Sequence, residues 1–336
     1  MRVLVVHNEP VLSEAHPEAE SEREILDTAD QISDRLKRAG FEVRIRPVGR
    51  DFSTFLAYLQ EARPHVVFNL FEGLGDDPLT EIAFARFLEN HSVPFTGCSS
   101  HALWQAGRKD IAKWLFRQAD LPTPDFFVVE ELPPTDCPLE WPVIVKPAFR
   151  DASIGIDHGS VVTDSIRFRE RAALLAEQYG FPILVESFIA GAEISAAVLD
   201  GPEPRVLPEV ETLFVSDSGD YPIVTYDAKW DPGSRDYQST PLRHPDQLDP
   251  RLAERISDLA KKAFRLFGCR DFATVDIRLN ANNDPFLLDV NRNADLTPTS
   301  CLMQSFQMAG IRYDDFLVEM VHAARKRARQ SIGGSA

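Results

Sequence analysis

Two kinds of apolar spacing take turns along the first third of the chain. Residues 2–7 (RVLVVH), 41–48 (FEVRIRPV) and 65–71 (HVVFNLF) are short aliphatic or β-branched runs of strand length. Between and after them, residues 20–39, 52–62 and 79–90 carry apolar positions at helical spacing, and Gly40 stops the first of these helices. With a short strand over VPFT at 93–96, the alternation predicts a parallel, doubly wound α/β unit over residues 1–100. No Gly-x-Gly-x-x-Gly follows the first strand, so the fingerprint of a dinucleotide site is absent.

A second unit is expected over residues 101–190. It holds a helix through Lys109 and Lys113, the strand DFFVV at 125–129, and a Pro-rich acidic connector at 130–138. The buried-strand pattern WPVIVKP, a turn-rich loop FRDASIGID at 149–157, a helix over 165–179 and the strand FPILVESF follow. Residues 191–325 form the third expected unit, with strands near 193–199, 205–211 and 223–229, a helix over 250–267, a hairpin and two closing helices. The basic tail at 326–336 is expected to fray.

The hairpin is where the pattern first suggests chemistry. VDIRL and PFLLDV, joined by the turn-forming ANND, present Asp276, Asp289 and Asn291. Side chains at i and i+2 of a strand point the same way, so Asp289 and Asn291 share a face, and rigid oxygen ligands suit Mg²⁺ held against phosphates. Aspartates bordering a polar turn would read the same way, and both readings stand on spacing alone. Lys146 sits in an apolar strand, where an ammonium is costly unless it meets an anion or the strand end is exposed. Loop 149–157 could close over a phosphate but carries only Gly155, and Glu186 and Glu193 bracket a turn as an ordinary solvated pair would.

Composition narrows the partners. The 336 residues carry 36 basic and 52 acidic side chains, a net charge of −16, which argues against general nucleic-acid binding. Cys98, Cys137, Cys269 and Cys301 are widely spaced, which suggests neither a zinc site nor a disulfide framework. The first residues make no signal peptide, and no apolar stretch reaches membrane-spanning length. A soluble, cytoplasmic protein with small-molecule partners and no membrane or nucleic-acid partner is the expectation.

Taken in order, WPVIVKP, ILVESFIAGAEISAAVL, TYDAKW, VDIRL and LLDVNRN resemble the ATP-grasp superfamily, in its D-alanine:D-alanine ligase-like branch, over roughly residues 1–325. The resemblance implies an ATP-grasp fold of three α/β units with an N-terminal Rossmann-like domain. It also implies an ATP-dependent carboxylate-amine ligase that works through an acyl phosphate, with ATP between the second and third units. Lys109 and Lys146 look like its phosphate-holding lysines. Glu186, Ser187, Phe188 and Ile189 resemble the adenine hinge, and Glu193 the ribose carboxylate. Asp276, Asp289 and Asn291 look like ligands of two Mg²⁺ ions, with Mn²⁺ as a substitute; a homodimer is a further expectation, since dimers are common in the family. Glu22 resembles the glutamate that receives a substrate ammonium, though a first-turn helix position explains it equally. Ser300 falls where a serine reads the second substrate's carboxylate, and it is also a good helix N-cap.

The departures concern the amino-acid side. Thr274 stands where these ligases carry an arginine that stabilises acyl transfer, and Ala152, Trp230 and Phe71 replace a serine, a tyrosine and a histidine. Asp295 stands at a usual glycine, where it would favour a cationic amine or be satisfied by Arg292. Arg292 and Arg150 are the candidates to replace the lost arginine, and with Lys229 and Ser153 they make up the expected catalytic set. The resulting expectation is ligation of amino-acid-like substrates other than two D-alanines. A true D-alanine:D-alanine ligase and a non-ligating ATP-binding regulatory homologue are the alternatives.

Overall fold

A strand that is apolar at every position must be covered on both faces, and the first strand shows how that is done. In the computed structural model, which describes residues 1–333 apart from 14–15, 17–18, 76, 135, 216–218 and 246–247, β1 (Arg2–Asn8) is the middle of a parallel sheet of order β2-β1-β3, with β2 Glu42–Val48 and β3 Val66–Leu70. Val3 and Val5 pack with Ile25, Ala29, Ile32 and Leu36 of α1 (Ala19–Arg38). Leu4 and Val6 face the opposite core, which holds Phe55 and Leu59 of α2 (Phe52–Ala62) and Phe84 and Leu88 of α3 (Leu79–Asn90). The expected VPFT strand is reduced to a single bridge between Val67 and Phe95. Pro94 can accept from the Val67 N–H, at 2.8 Å, but has no N–H to donate.

Two helices, α4 (Ser100–Gly107) and α5 (Lys109–Gln118), lead into a second sheet. It is antiparallel, in the order β4-β7-β5-β6, with β4 Phe126–Val129, β5 Val143–Pro147, β6 Val161–Val162 and β7 Ile183–Ser187. Its cover is α6 (Ser165–Tyr179), started by Asp164, whose carboxylate accepts from the N–H groups of Ile166 and Arg167. Phe168, Ala172 and Leu175 of this helix close a core with Val143, Val145, Ile183 and Val185.

The third sheet has the path β11-β10-β8-β12-β13, built from β8 (Glu193–Leu199), β10 (Val210–Thr212), β11 (Leu242–Arg243), β12 (Phe272–Leu279) and β13 (Pro285–Asn291), with β9 (Arg205–Val206) on β8. The short helices α7 (Tyr226–Trp230) and α8 (Arg235–Ser239) and the long α9 (Pro250–Leu266) lie within it in sequence, and α10 (Cys301–Met308) and α11 (Tyr313–Gly333) end the chain. Ile256, Ala260 and Phe264 of α9 share a core with Phe55, Phe84 and Phe116. Phe306, Phe316 and Val321 share the other with Ile25 and Ile32. The first and third sheets are thus joined through common cores, whereas the second keeps its own. Among the described residues no helix is long and apolar enough to cross a membrane.

Three local expectations change. Residues 223–229 do not form a strand, because the Thr225 hydroxyl accepts from the Ala228 N–H at 3.1 Å and starts α7. The strand expected over 205–211 divides into β9 and β10 around Pro208, which has no N–H for a ladder. Residues 326–333 are not frayed but continue α11, held by Arg327, whose guanidinium donates to the Phe95 carbonyl and to the Asp271 carboxylate. Residues 334–336 lie outside the described set.

Asp271 ties this arrangement together. Its carboxylate, 1% exposed, accepts from the Gly97 N–H at 2.8 Å and from both arms of Arg327, while its own carbonyl accepts from the Asp200 N–H at 2.9 Å. Its φ of 65° is one that asparagine also tolerates. Asp271→Asn therefore keeps the backbone but removes a charge that both arms of Arg327 meet. The expected loss is about 2 kcal/mol, read as a lower denaturant midpoint. A wild-type midpoint would mean that the tie contributes nothing to stability.

Candidate active site

The second and third sheets share a cleft. Its walls are Ile144 and Lys146 of β5, Glu186 and Ser187 of β7, Phe188 and Ile189 beyond it, Glu193 of β8, and Asp276, Arg278, Leu288, Asp289 and Asn291 of the hairpin. Lys109, Lys229 and the loop residues Arg150, Asp151, Ala152 and Ser153 also line it. Three lysines and two arginines in one concavity would repel one another unless carboxylates stood between them.

Glu186 is the first such carboxylate. Lys113 of α5, fully buried, places its ammonium 2.6 Å from one Glu186 oxygen, and Lys146 pairs with the other. Lys113 also donates to the Thr123 hydroxyl and the Leu287 carbonyl, each at 2.9 Å, so its protons are used inside the protein. Burial alone would raise the Glu186 pKa, but the two ammonium groups outweigh it and bring it to about 2. The side chain of Glu186 is therefore a counter-ion for the two lysines. Lys113 was not among the expected site residues; its i, i+4 spacing from Lys109 on a helix was the available signal.

At the hairpin, register does what the spacing suggested. Asp276 of β12 is directly opposite Asp289 of β13, and Thr274 is opposite Asn291. The Asn291 amide donates to Asp276 at 2.7 Å, and all three side chains line the cleft. Burial, with Glu193 and Asp289 nearby, pushes the Asp276 carboxyl up to about 6, against the opposing pull of Lys229. Lys109 bridges the loop and the hairpin, 2.5 Å from both Asp151 and Asp289. Burial disfavours its ammonium, but these carboxylates more than offset that and raise its pKa. Among the described residues no group of three or more His, Cys, Asp or Glu is placed to hold a metal. Two carboxylates and an amide oxygen leave most coordination positions to phosphate oxygens and water, and that donor set fits Mg²⁺ or Mn²⁺ arriving with a phosphate.

The expected amino-acid side is arranged differently. Arg292 is not among the residues lining the cleft; one arm is 2.5 Å from Asp151, which does line it, and the other 2.8 Å from Glu81. It lies so close to Gly107 that a Cβ there would be 2.7 Å from its Nη2. Thus Arg292 braces Asp151 against Glu81, and among the described residues no hydrogen bond joins it to Asp295. Arg150 does line the cleft; it donates to the Gly75 carbonyl at 3.1 Å and stacks over Tyr179. Glu22 is buried and spent on backbone, accepting from the N–H groups of Val11, Leu12 and Gly75 at 2.9, 2.8 and 3.1 Å. Ser300 caps α10 by accepting from the Met303 N–H, and Asp295 accepts from the N–H and hydroxyl of Thr297. None of these three lines the cleft.

Two of the departures meet each other. The Trp230 indole donates to the carbonyl of Ala152 at 3.0 Å, which ties the helix carrying Lys229 to the loop carrying Arg150 and Ser153. Ala152 and Ser153 have φ of 55° and 59°, and Gly155 follows at 73°, where a Cβ would meet Pro147 at 2.7 Å. The loop doubles back over Lys146's strand only because residue 155 has no side chain. Phe71 has become a core residue, its ring 4.7 Å from that of Phe84.

Residues 115–322, more than half of the chain, match the family model described as the D-ala D-ala ligase C-terminus. A D-alanine–D-alanine ligase of Desulforudis audaxviator is 32% identical over 324 residues, covering 91% of this chain and 96% of that one. An uncharacterized protein, y4sG, of Sinorhizobium fredii is 29% identical over 305 residues, covering 89% and 88%. The crystal structure of D-alanine–D-alanine ligase from Bacillus anthracis complexed with ATP shares the fold, with a TM-score of 0.76 at 20% identity over 98% of this chain and 99% of that one. The non-ligating homologue gives way to an enzyme: the chain belongs to the D-alanine–D-alanine ligase family of ATP-grasp proteins and is an ATP-dependent ligase.

Proposed function

We propose that the cleft joins a carboxylate to an amine on amino-acid-like substrates other than a pair of D-alanines. Bound ATP would supply a phosphoryl group to the substrate carboxylate, and displacement of that phosphate by the amine would give the amide, ADP and phosphate. Lys109 and Lys146 hold the phosphates, the backbone from Glu186 to Ile189 receives adenine, Glu193 takes the ribose hydroxyls, and Asp276, Asp289 and Asn291 hold two Mg²⁺ ions. Held there, Mg²⁺ would neutralise phosphate charge and so let a carboxylate oxygen approach phosphorus.

The observation that carries the substrate proposal is the fate of the amino-acid-side residues. Glu22 spends its carboxylate on three backbone N–H groups, and Thr274 offers no guanidinium. Arg150, on the cleft wall, stabilises charge at the reacting carboxylate in this reading, since the cleft's other arginine, Arg278, is paired with Glu193, and Lys229 and Ser153 also line the cleft. A second reading, D-alanine:D-alanine ligase, is favoured by the Desulforudis audaxviator likeness, which runs through nearly the whole chain.

Two experiments test these assignments. ADP release against a panel of D- and L-amino acids and small carboxylates, with mass spectrometry of the products, should find an amide other than D-alanyl-D-alanine. Strong stimulation by D-alanine alone would establish the second reading instead. Separately, Asp289→Asn should lower Mg²⁺-dependent turnover by roughly a hundredfold or more, far more than it lowers stability, because Lys109 keeps Asp151 as a counter-ion. Undiminished turnover would mean that the metal is held elsewhere.

A further inference from the structure

Arg278 is 3% exposed, lines the cleft, and has no part in the assignments above. We propose that it is the positioning residue of the nucleotide site, fixing Glu193 against the hinge and so setting the preference for a ribose that carries its 2′-hydroxyl. The proposal rests on reading Glu193 as the ribose acceptor.

The strand register creates the contact. Arg278 of β12 is the cross-strand partner of Glu193 of β8. One arm of its guanidinium donates to Glu193 Oε2, the Nε donates to the Ile189 carbonyl at 2.9 Å, and the other arm donates to the Pro222 carbonyl. Three separate segments, the end of the hinge, the start of β8 and the run leading into α7, are thereby held by one planar group. A lysine could not do this, because its single ammonium lacks the fork. The plane is itself fixed between two rings, with Phe214 at 4.9 Å and Phe188 at 5.6 Å from Cζ, and Phe188 meets Tyr221 edge-on at 5.1 Å.

Hinge and acceptor are consequently set together. The Phe188 N–H is held by the Pro142 carbonyl at 3.1 Å, and Arg278 holds the next residue by its carbonyl. Glu193 is pinned through Oε2, which leaves Oε1 with no hydrogen-bond partner among the described residues, on the wall of the cleft. Without Arg278 the carboxylate would be free to change rotamer, and a rotating acceptor discriminates poorly between a ribose and a deoxyribose.

Calorimetry with ADP and 2′-deoxy-ADP on the full chain tests this without turnover. Wild type should prefer ADP by roughly tenfold, the value of one hydrogen bond to a charged acceptor, and Glu193→Gln should lose most of that preference. Arg278→Met should bind ADP about tenfold more weakly and show the same lost preference. Arg278→Lys, which keeps a charge beside Glu193 but not the fork, should retain the preference with weakened ADP binding. If Arg278→Met keeps the preference that Glu193→Gln loses, the positioning role is overturned. Should Glu193→Gln keep it too, the ribose assignment itself fails. In the event that Arg278→Met does not fold, wild-type ADP affinity in Arg278→Lys overturns the proposal.

Discussion

A cation taken out of water needs an anion beside it, and that requirement organises the cleft. Lys113 and Lys146 share Glu186, Lys109 is held by Asp151 and Asp289, Arg292 by Asp151 and Glu81, and Arg278 by Glu193. Several of these pairs join separate elements, α5 to the second sheet at Glu186 and α5 to the third at Asp289, so the same charges that would meet a nucleotide also hold its walls in place. Asp151 is the junction. It takes Lys109 with one oxygen and Arg292 with the other, and through Arg292 the loop is fastened to Glu81 in the helix that covers the first sheet.

The contrast between the two ends of the site follows from where these charges are spent. At the nucleotide end they line the cleft, as Lys109, Lys146, Glu193, Asp276 and Asp289 all do. Toward the first sheet they are consumed in structure: Glu22 by backbone, Arg292 by carboxylates, Asp295 by Thr297. The Trp230–Ala152 contact replaces side chains expected to orient a substrate with a hydrogen bond between helix and loop. A family that keeps its activation chemistry while changing what it joins would be altered in this way.

Much of the fold was legible because period and burial agree. The first strand is apolar throughout since both its faces are covered, and Asp289 and Asn291 could be placed on one face since strand side chains alternate. The same alternation explains why Arg292 could not be read from its proximity to Asn291: the next residue along turns the other way, toward Glu81. Lys113 and Arg278 went unseen because each is defined by a partner remote in sequence, Glu186 for one and Glu193 for the other. Glu22 and Ser300 had two readings each, and the backbone claimed both side chains. Residues 223–229 misled because β-branched residues suggest a strand unless the capping hydroxyl of Thr225 is given precedence.

The central claim, that paired charges between the second and third sheets form a Mg·nucleotide site, is tested most directly by a crystal structure of the protein with ADP and Mg²⁺. The account predicts phosphates beside Lys109 and Lys146, the cation among Asp276, Asp289 and Asn291, and the ribose at Glu193. Phosphates bound away from both lysines, or a cation that touches neither Asp276 nor Asp289, would contradict it.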